Sequence, residues 1–352
     1  MVAPTLLQAL IAITFCTYVT TCAITLPNIS NIVIFGDSTV DSGNNNYIKS
    51  VIKSNHYPYG LNFPYHIPTG RFSDGKLIPD LVASFLNIKD SVPPFLDPSL
   101  SDYDIRTGVC FASAGSGYDD LTYAEIGVIP LPKQLEMFKN YISRLKGIVG
   151  EEEANKTVGS SLIMISSGNN DLLAYSDALS PRRLQLNVDE YQDFLLKVLQ
   201  NFVQELYDLG GRLFIICGVA PLGCLPMQMT VRLVHTCLED ENAASRSYNG
   251  KLESLLPTLK ESLPGSTIAY TNVYDPIVDM VDHPQKYGFV ETHRGCCGTG
   301  LVEVSFLCNV ATPVCSNASQ YLFWDSIHPT EAAYKFLFDA LIKEILNELS
   351  TQ

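Results

Sequence analysis

Short apolar runs and amphipathic stretches alternate along this 352-residue chain. The pattern predicts an α/β fold, a three-layer α/β/α sandwich around a five-stranded, mostly parallel sheet. Three observations carry the prediction. Strand candidates alternate with helix candidates. Each strand candidate is apolar throughout, as in a sheet buried on both faces, rather than alternating as in a half-solvated one. Three of them end in glycine-bearing polar turns, and a parallel sheet collects all such ends on one edge.

Residues 32–35, Ile-Val-Ile-Phe, form the first strand, stopped at once by Gly36-Asp37-Ser38, which leaves the Ser38 hydroxyl at the C-terminal end. Residues 41–46 read as a polar loop that keeps this serine exposed. Residues 57–68, rich in Pro, Tyr, Asn and Gly, read as irregular, with aromatics that either line a cleft or pack beneath one. A helix is expected over 77–86. The second strand, 108–112, runs into Ser113-Ala-Gly-Ser-Gly117, where Asp120 stands in place of the third glycine of a dinucleotide fingerprint. Leu135, Phe138, Ile142 and Leu145 give helical spacing over 131–149, and the charged residues 151–156 read as a solvated end or loop. The third strand, 161–165, ends in the turn 166–171. A long amphipathic helix, 188–209, stops at Gly210-Gly211. Strand 213–216, helix 237–263 and strand 267–270 come next. Residues 275–319 read as a loop-like insertion or lid tied by disulfides, 321–325 close the strand pattern, and Thr330 caps a last helix reaching 349.

Composition narrows the class. A chain 46% hydrophobic and 17% charged can bury a large core, and its formal charge of −14 repels nucleic acid and anionic membrane surfaces. Residues 1–48 hold no Lys or Arg, and the apolar run from Leu6 is too short and too threonine-rich for a span. Residues 1–23 therefore read as a secretory signal peptide and 24–352 as one domain, with no transmembrane segment after the signal is removed. Eight cysteines remain (Cys110, Cys217, Cys224, Cys237, Cys296, Cys297, Cys308 and Cys315), an even number that suits disulfides, although Cys110 and Cys217 sit in apolar stretches that equally suit buried free thiols. The late cysteines lack the C-x-x-C pair of a zinc site. Sequons at Asn28, Asn155 and Asn317 fit a secreted glycoprotein.

Ser38 lies at one predicted strand end, Gly115 and Asn170 at two others. Asp325 and His328, three residues apart, sit where the chain leaves its last extended segment. Acyl transfer at a serine needs a base for the hydroxyl proton and donors for the developing oxyanion, and these turns supply each part. No G-x-S-x-G elbow surrounds Ser38, because Val40 occupies its last position.

Four blocks of residues, Phe35-Gly-Asp-Ser-Thr-Val-Asp-Ser-Gly-Asn-Asn45, Phe111-Ala-Ser-Ala-Gly-Ser-Gly117, Gly168-Asn-Asn-Asp171 and Phe323-Trp-Asp-Ser-Ile-His-Pro-Thr-Glu331, resemble those of the GDSL esterase/lipase family within the SGNH hydrolase superfamily. Gly70-Arg-Phe-Ser-Asp-Gly-Lys76 and the stretch 218–226 with Cys224 resemble its plant branch. The resemblance implies a flavodoxin-like SGNH fold and a serine ester hydrolase secreted to the apoplast or cell wall. It implies Ser38 as nucleophile, His328 as base and then acid, Asp325 as its orienter, and oxyanion donors from the Ser38 and Gly115 backbones and the Asn170 amide. A small-molecule or lipid ester is the implied substrate, with no metal and no cofactor. An acyltransferase on the same site, or a non-catalytic binding protein on the same fold, are the alternatives. Thr39 replaces the leucine of the family's name, and Cys110 stands where many members carry asparagine.

Overall fold

The computed structural model describes residues 29–124 and 126–350. The expected signal peptide and Asn28 lie outside that range. Strand β1 (Ile32–Gly36) pairs with β2 (Leu162–Ser166), β2 with β3 (Leu213–Cys217) and β3 with β4 (Thr267–Thr271), all parallel and in that spatial order. Every residue of β1 and β2 is buried, which is why both are apolar throughout.

Helices enclose the sheet. Helix α1 (Ile78–Phe85) and α2 (Leu131–Val149) separate β1 from β2; α3 (Asn169–Ser176) and α4 (Val188–Asp208) separate β2 from β3; α5 (Glu239–Ser262) lies between β3 and β4. After β4 come α6 (Tyr274–Asp282), the short parallel pair β5 (Glu291–Gly295) and β6 (Tyr321–Phe323), and α7 (Glu331–Ser350). Helices α4 and α5 pack together, and α5 and α7 both pack on β4. Right-handed crossovers in a sheet of order 1-2-3-4 place α2, α4 and α5 on one face, leaving the other to α7 with α1.

The second expected strand, 108–112, is corrected. Residues 109–113 do lie beside β1: Ile34 N donates to Val109 O (3.3 Å), Phe111 N to Ile34 O (2.7 Å) and Ser113 N to Gly36 O (3.0 Å). The bond that would complete a ladder, from Gly36 N, goes instead to the Gln134 side chain of α2 (2.9 Å), whose amide returns a bond to Gly36 O (3.0 Å). A side chain interleaved with the backbone leaves an edge segment with isolated bridges, and among the described residues the sheet has four strands. Gly36 itself sits at φ 136 with Ser166 O 1.8 Å from where a Cβ would be, so no side chain fits there.

Three loop expectations also change. Residues 151–156 belong to a helix, Glu151–Gly159, whose Ala154 and Val158 are buried. Of residues 275–319, the first part is α6 and β5; only the later part is the disulfide-tied insertion, closed by Cys296–Cys315 and Cys297–Cys308. A third disulfide joins Cys224 to Cys237, and Cys110 and Cys217 are buried free thiols. The loop after Ser38 is buried rather than exposed, because its polar groups are spent on backbone. Asp41 accepts from Gly43 N and Asn44 N (2.8 Å each) and Ala114 N (2.9 Å), while the Asn44 amide donates to Cys110 O (2.9 Å) and Ala112 O (2.8 Å).

Candidate active site

The chain leaves β1 for an edge segment on one side and returns to β2 on the other, so Ser38 stands where the strand order reverses. That is the point at which open α/β sheets form a ligand crevice. Asp37, buried beside it, accepts from the Thr39 amide (3.0 Å) and hydroxyl (2.7 Å) and fixes this turn. Burial raises the Asp37 carboxyl above its ordinary range.

The other half of the site is a tight loop between β6 and α7. Trp324 N donates to His328 O (2.7 Å), and Asp325 Oδ1 accepts from the Ile327 (2.9 Å) and His328 (2.7 Å) backbones. One carboxylate therefore shapes the loop and faces the imidazole. His328 Nδ1 lies 2.9 Å from both Asp325 oxygens, and its Nε2 lies 2.8 Å from Ser38 Oγ. A carboxylate only accepts, so Nδ1 carries the proton and Nε2 is left to accept from the serine hydroxyl. All three side chains are nearly or fully buried, with Ser38 8% exposed, His328 3% and Asp325 0%.

The groups expected as oxyanion donors keep N–H hydrogens to give. Among the described residues, the backbone N–H groups of Ser38 and Gly115 donate to no other group. Asn170, in the first turn of α3, spends one amide hydrogen on Ser116 O (2.9 Å) and keeps a second. Ser38, Asn170 and His328 line one cleft; Gly115 does not line it, but precedes the Ser116 carbonyl to which Asn170 is tied.

Tyr59 had no signal of its own in the sequence. Fully buried, it donates its hydroxyl hydrogen to Asp325 Oδ2 (2.7 Å) and accepts from Ser305 N (2.8 Å). Its ring meets Phe72 and Trp324 edge-on, and Phe72 in turn lies against His328. Of the aromatics in 57–68, Tyr59 thus packs beneath the site, while Tyr57 and Tyr65 are exposed. Ser305 lies within the Cys297–Cys308 loop, so one phenol joins the insertion to Asp325. Its partner is 266 residues away in sequence, beyond the reach of any local pattern.

The sequons divide. Asn155 is exposed on the helix after α2, and Asn317 is exposed just before β6 with its side chain accepting from Ser319 N (3.1 Å). Among the described residues no group of His, Cys, Asp and Glu is placed to hold a metal ion, and no helix is long and apolar enough to cross a membrane.

Comparison with known proteins agrees with this geometry. A family description for GDSL-like lipase/acylhydrolase matches residues 32–341. An Arabidopsis thaliana protein named GDSL esterase/lipase is 53% identical over 330 residues, covering 92% of each chain. A second of that name and organism is 48% identical over 350 residues, covering 96% of this chain and 97% of its own. A third is 51% identical over 329 residues, covering 91% of each. With those likenesses running through both halves of the site, the chain belongs to the GDSL lipase/acylhydrolase family.

Proposed function

We propose that the protein is a serine hydrolase of carboxylic esters, with Ser38 as nucleophile, His328 as general base and acid, and Asp325 as orienter. The observation that carries this reading is the unbroken hydrogen-bonded chain from Ser38 Oγ through His328 to Asp325, opening on an apolar cleft. In the first half-reaction Ser38 Oγ attacks the ester carbonyl carbon as its proton passes to Nε2. The tetrahedral oxyanion is held by the Ser38 and Gly115 N–H groups and the Asn170 amide. Collapse expels the alcohol, which takes the proton from Nε2, and leaves an acyl-Ser38 ester. Water then repeats the steps, with His328 again as base, and releases the acid. Asp325 keeps the imidazole in the required tautomer and stabilises the imidazolium.

Export through the secretory route, with glycosylation at Asn28, Asn155 and Asn317, is the companion reading. Three disulfides support it, as does the exposure of Asn155 and Asn317. A mobility shift on enzymatic deglycosylation of the protein from a plant secretory system tests it. For the chemistry, kcat/KM on p-nitrophenyl butyrate is the test. Ser38→Ala and His328→Ala are each expected to lose at least about 10³, and retention of activity by Ser38→Ala overturns the assignment.

A further inference from the structure

Asn317 lies in the wall of a groove of about 730 Å³, within the size range that holds a drug-sized ligand. One side of the groove is the turn before β6, with Asn317 and Gln320; the other is α7, with Phe336 and Asp339. Tyr287 completes it, because Val290 N donates to Gln320 O (2.8 Å) and draws that segment alongside. The turn fixes how Asn317 is presented. Its Oδ1 accepts from Ser319 N (3.1 Å) and Ser319 Oγ (2.8 Å), whereas Nδ2, the atom that carries an N-linked sugar, donates to no group among the described residues. The lining is rich in acceptors and poor in free cations. Lys335 is paired with Glu331 (2.6 Å), while the exposed Asp339 carboxylate and Gln320 amide make no hydrogen bond among the described residues. Such a lining repels anions and suits a neutral ligand that brings hydroxyl and amide donors. Tyr287 and Phe336, both half-buried, meet edge-on with ring centres 5.1 Å apart and offer an apolar surface to the C–H face of a sugar ring.

We propose that this groove seats the first two sugars, both N-acetylglucosamine, of a glycan carried on Asn317. The proposal rests on the glycosylation reading of that asparagine. The tether decides the occupant. A free disaccharide gains little from a few exposed hydrogen bonds and an aromatic face, but a sugar joined to the groove wall is present at an effective concentration on the order of millimolar. The groove therefore holds it without tight binding. Seated there, the sugar joins the turn before β6 to α7, the two elements that flank the loop carrying Asp325 and His328. Asn155 is the internal contrast, exposed on the helix Glu151–Gly159, whose buried residues are Ala154 and Val158.

The test treats the full chain, made with oligomannose glycans, with endoglycosidase H, which cuts between the first two sugars and leaves one as a mass tag on each peptide. At Asn317, cleavage in the folded protein is expected to be at least about tenfold slower than after unfolding, the protection given by one or two net hydrogen bonds. At Asn155 the two rates are expected to differ by less than about threefold, since no groove contact protects that sugar. Gln320→Ala together with Asp339→Ala, both at exposed positions, is expected to raise the folded rate at Asn317 at least about fivefold and to leave Asn155 unchanged. Cleavage at Asn317 as fast folded as unfolded, equal slowing at Asn155, or a folded rate that the paired substitution leaves unchanged overturns the seat while leaving glycosylation standing. An Asn317 peptide that carries no sugar before treatment overturns both.

Discussion

In the proposed mechanism, Ser38 is made reactive by groups that are each ordinary alone. A serine after a strand, a histidine before a proline and an asparagine in a turn have common structural uses; the site comes from their meeting within hydrogen-bond distance. Local spacing made much of this readable. Asp325 and His328 share one loop, and Gly115 and Asn170 follow glycine-bearing turns of the same kind as the turn at Ser38. Tyr59 was not readable, because its importance lies in a contact spanning the chain. Replacing Tyr59 with Phe keeps the ring against Phe72 and Trp324 but leaves Ser305 N–H without a partner and takes one of the two donors from Asp325 Oδ2, which keeps only His328. A buried donor or acceptor so left costs about 1–3 kcal/mol, so kcat per fluorophosphonate-titrated site is expected to fall about tenfold in Tyr59→Phe. Asn170→Ala removes one oxyanion donor and should lower kcat by roughly 10²–10³ in steady-state assays, with KM little changed.

At the scale of elements, apolar patterning placed the four paired strands and the long helices to within a residue or two, because β1 to β4 are buried on both faces and α2 and α4 carry clean amphipathic stripes. It erred at residues 109–113, where the pattern is apolar but Gln134 intercepts the ladder, and at 41–46, where polar side chains face inward to bind backbone. Hydrophobic periodicity has no term for a polar group that is buried and satisfied. The disulfide-tied insertion shows the same limit: its cysteines were visible, but its bond to Asp325 through Tyr59 was not. Replacing Cys297 and Cys308 together with Ser opens an 11-residue loop. It should cost about 2–4 kcal/mol in urea unfolding. Because Ser305 then loses its support, the loss of kcat in this variant and in Tyr59→Phe should combine to less than their product.

Over the whole molecule, the buried carboxylates set the response to pH. Burial pushes Asp41 and Asp171 up to about 6 from the ordinary 3.8, even though each accepts three hydrogen bonds. Between those values the folded protein holds protons that the unfolded chain has released, so the contribution to stability is present in full below about pH 4 and is lost as pH rises through 6. The net charge of −14 adds repulsion in the same direction. The urea midpoint is therefore expected to be higher at pH 5 than at pH 7.5, and an equal or lower midpoint at pH 5 contradicts these assignments. Such a molecule, acidic, disulfide-closed and built around one sheet edge, is organised to hold Ser38 against His328. The most direct measurement is fluorophosphonate labelling of the folded protein followed by peptide mass spectrometry. One adduct is expected, on Ser38, formed far more slowly in His328→Ala; an unlabelled Ser38, or labelling that His328→Ala leaves at full rate, contradicts the assignment of Ser38 as nucleophile.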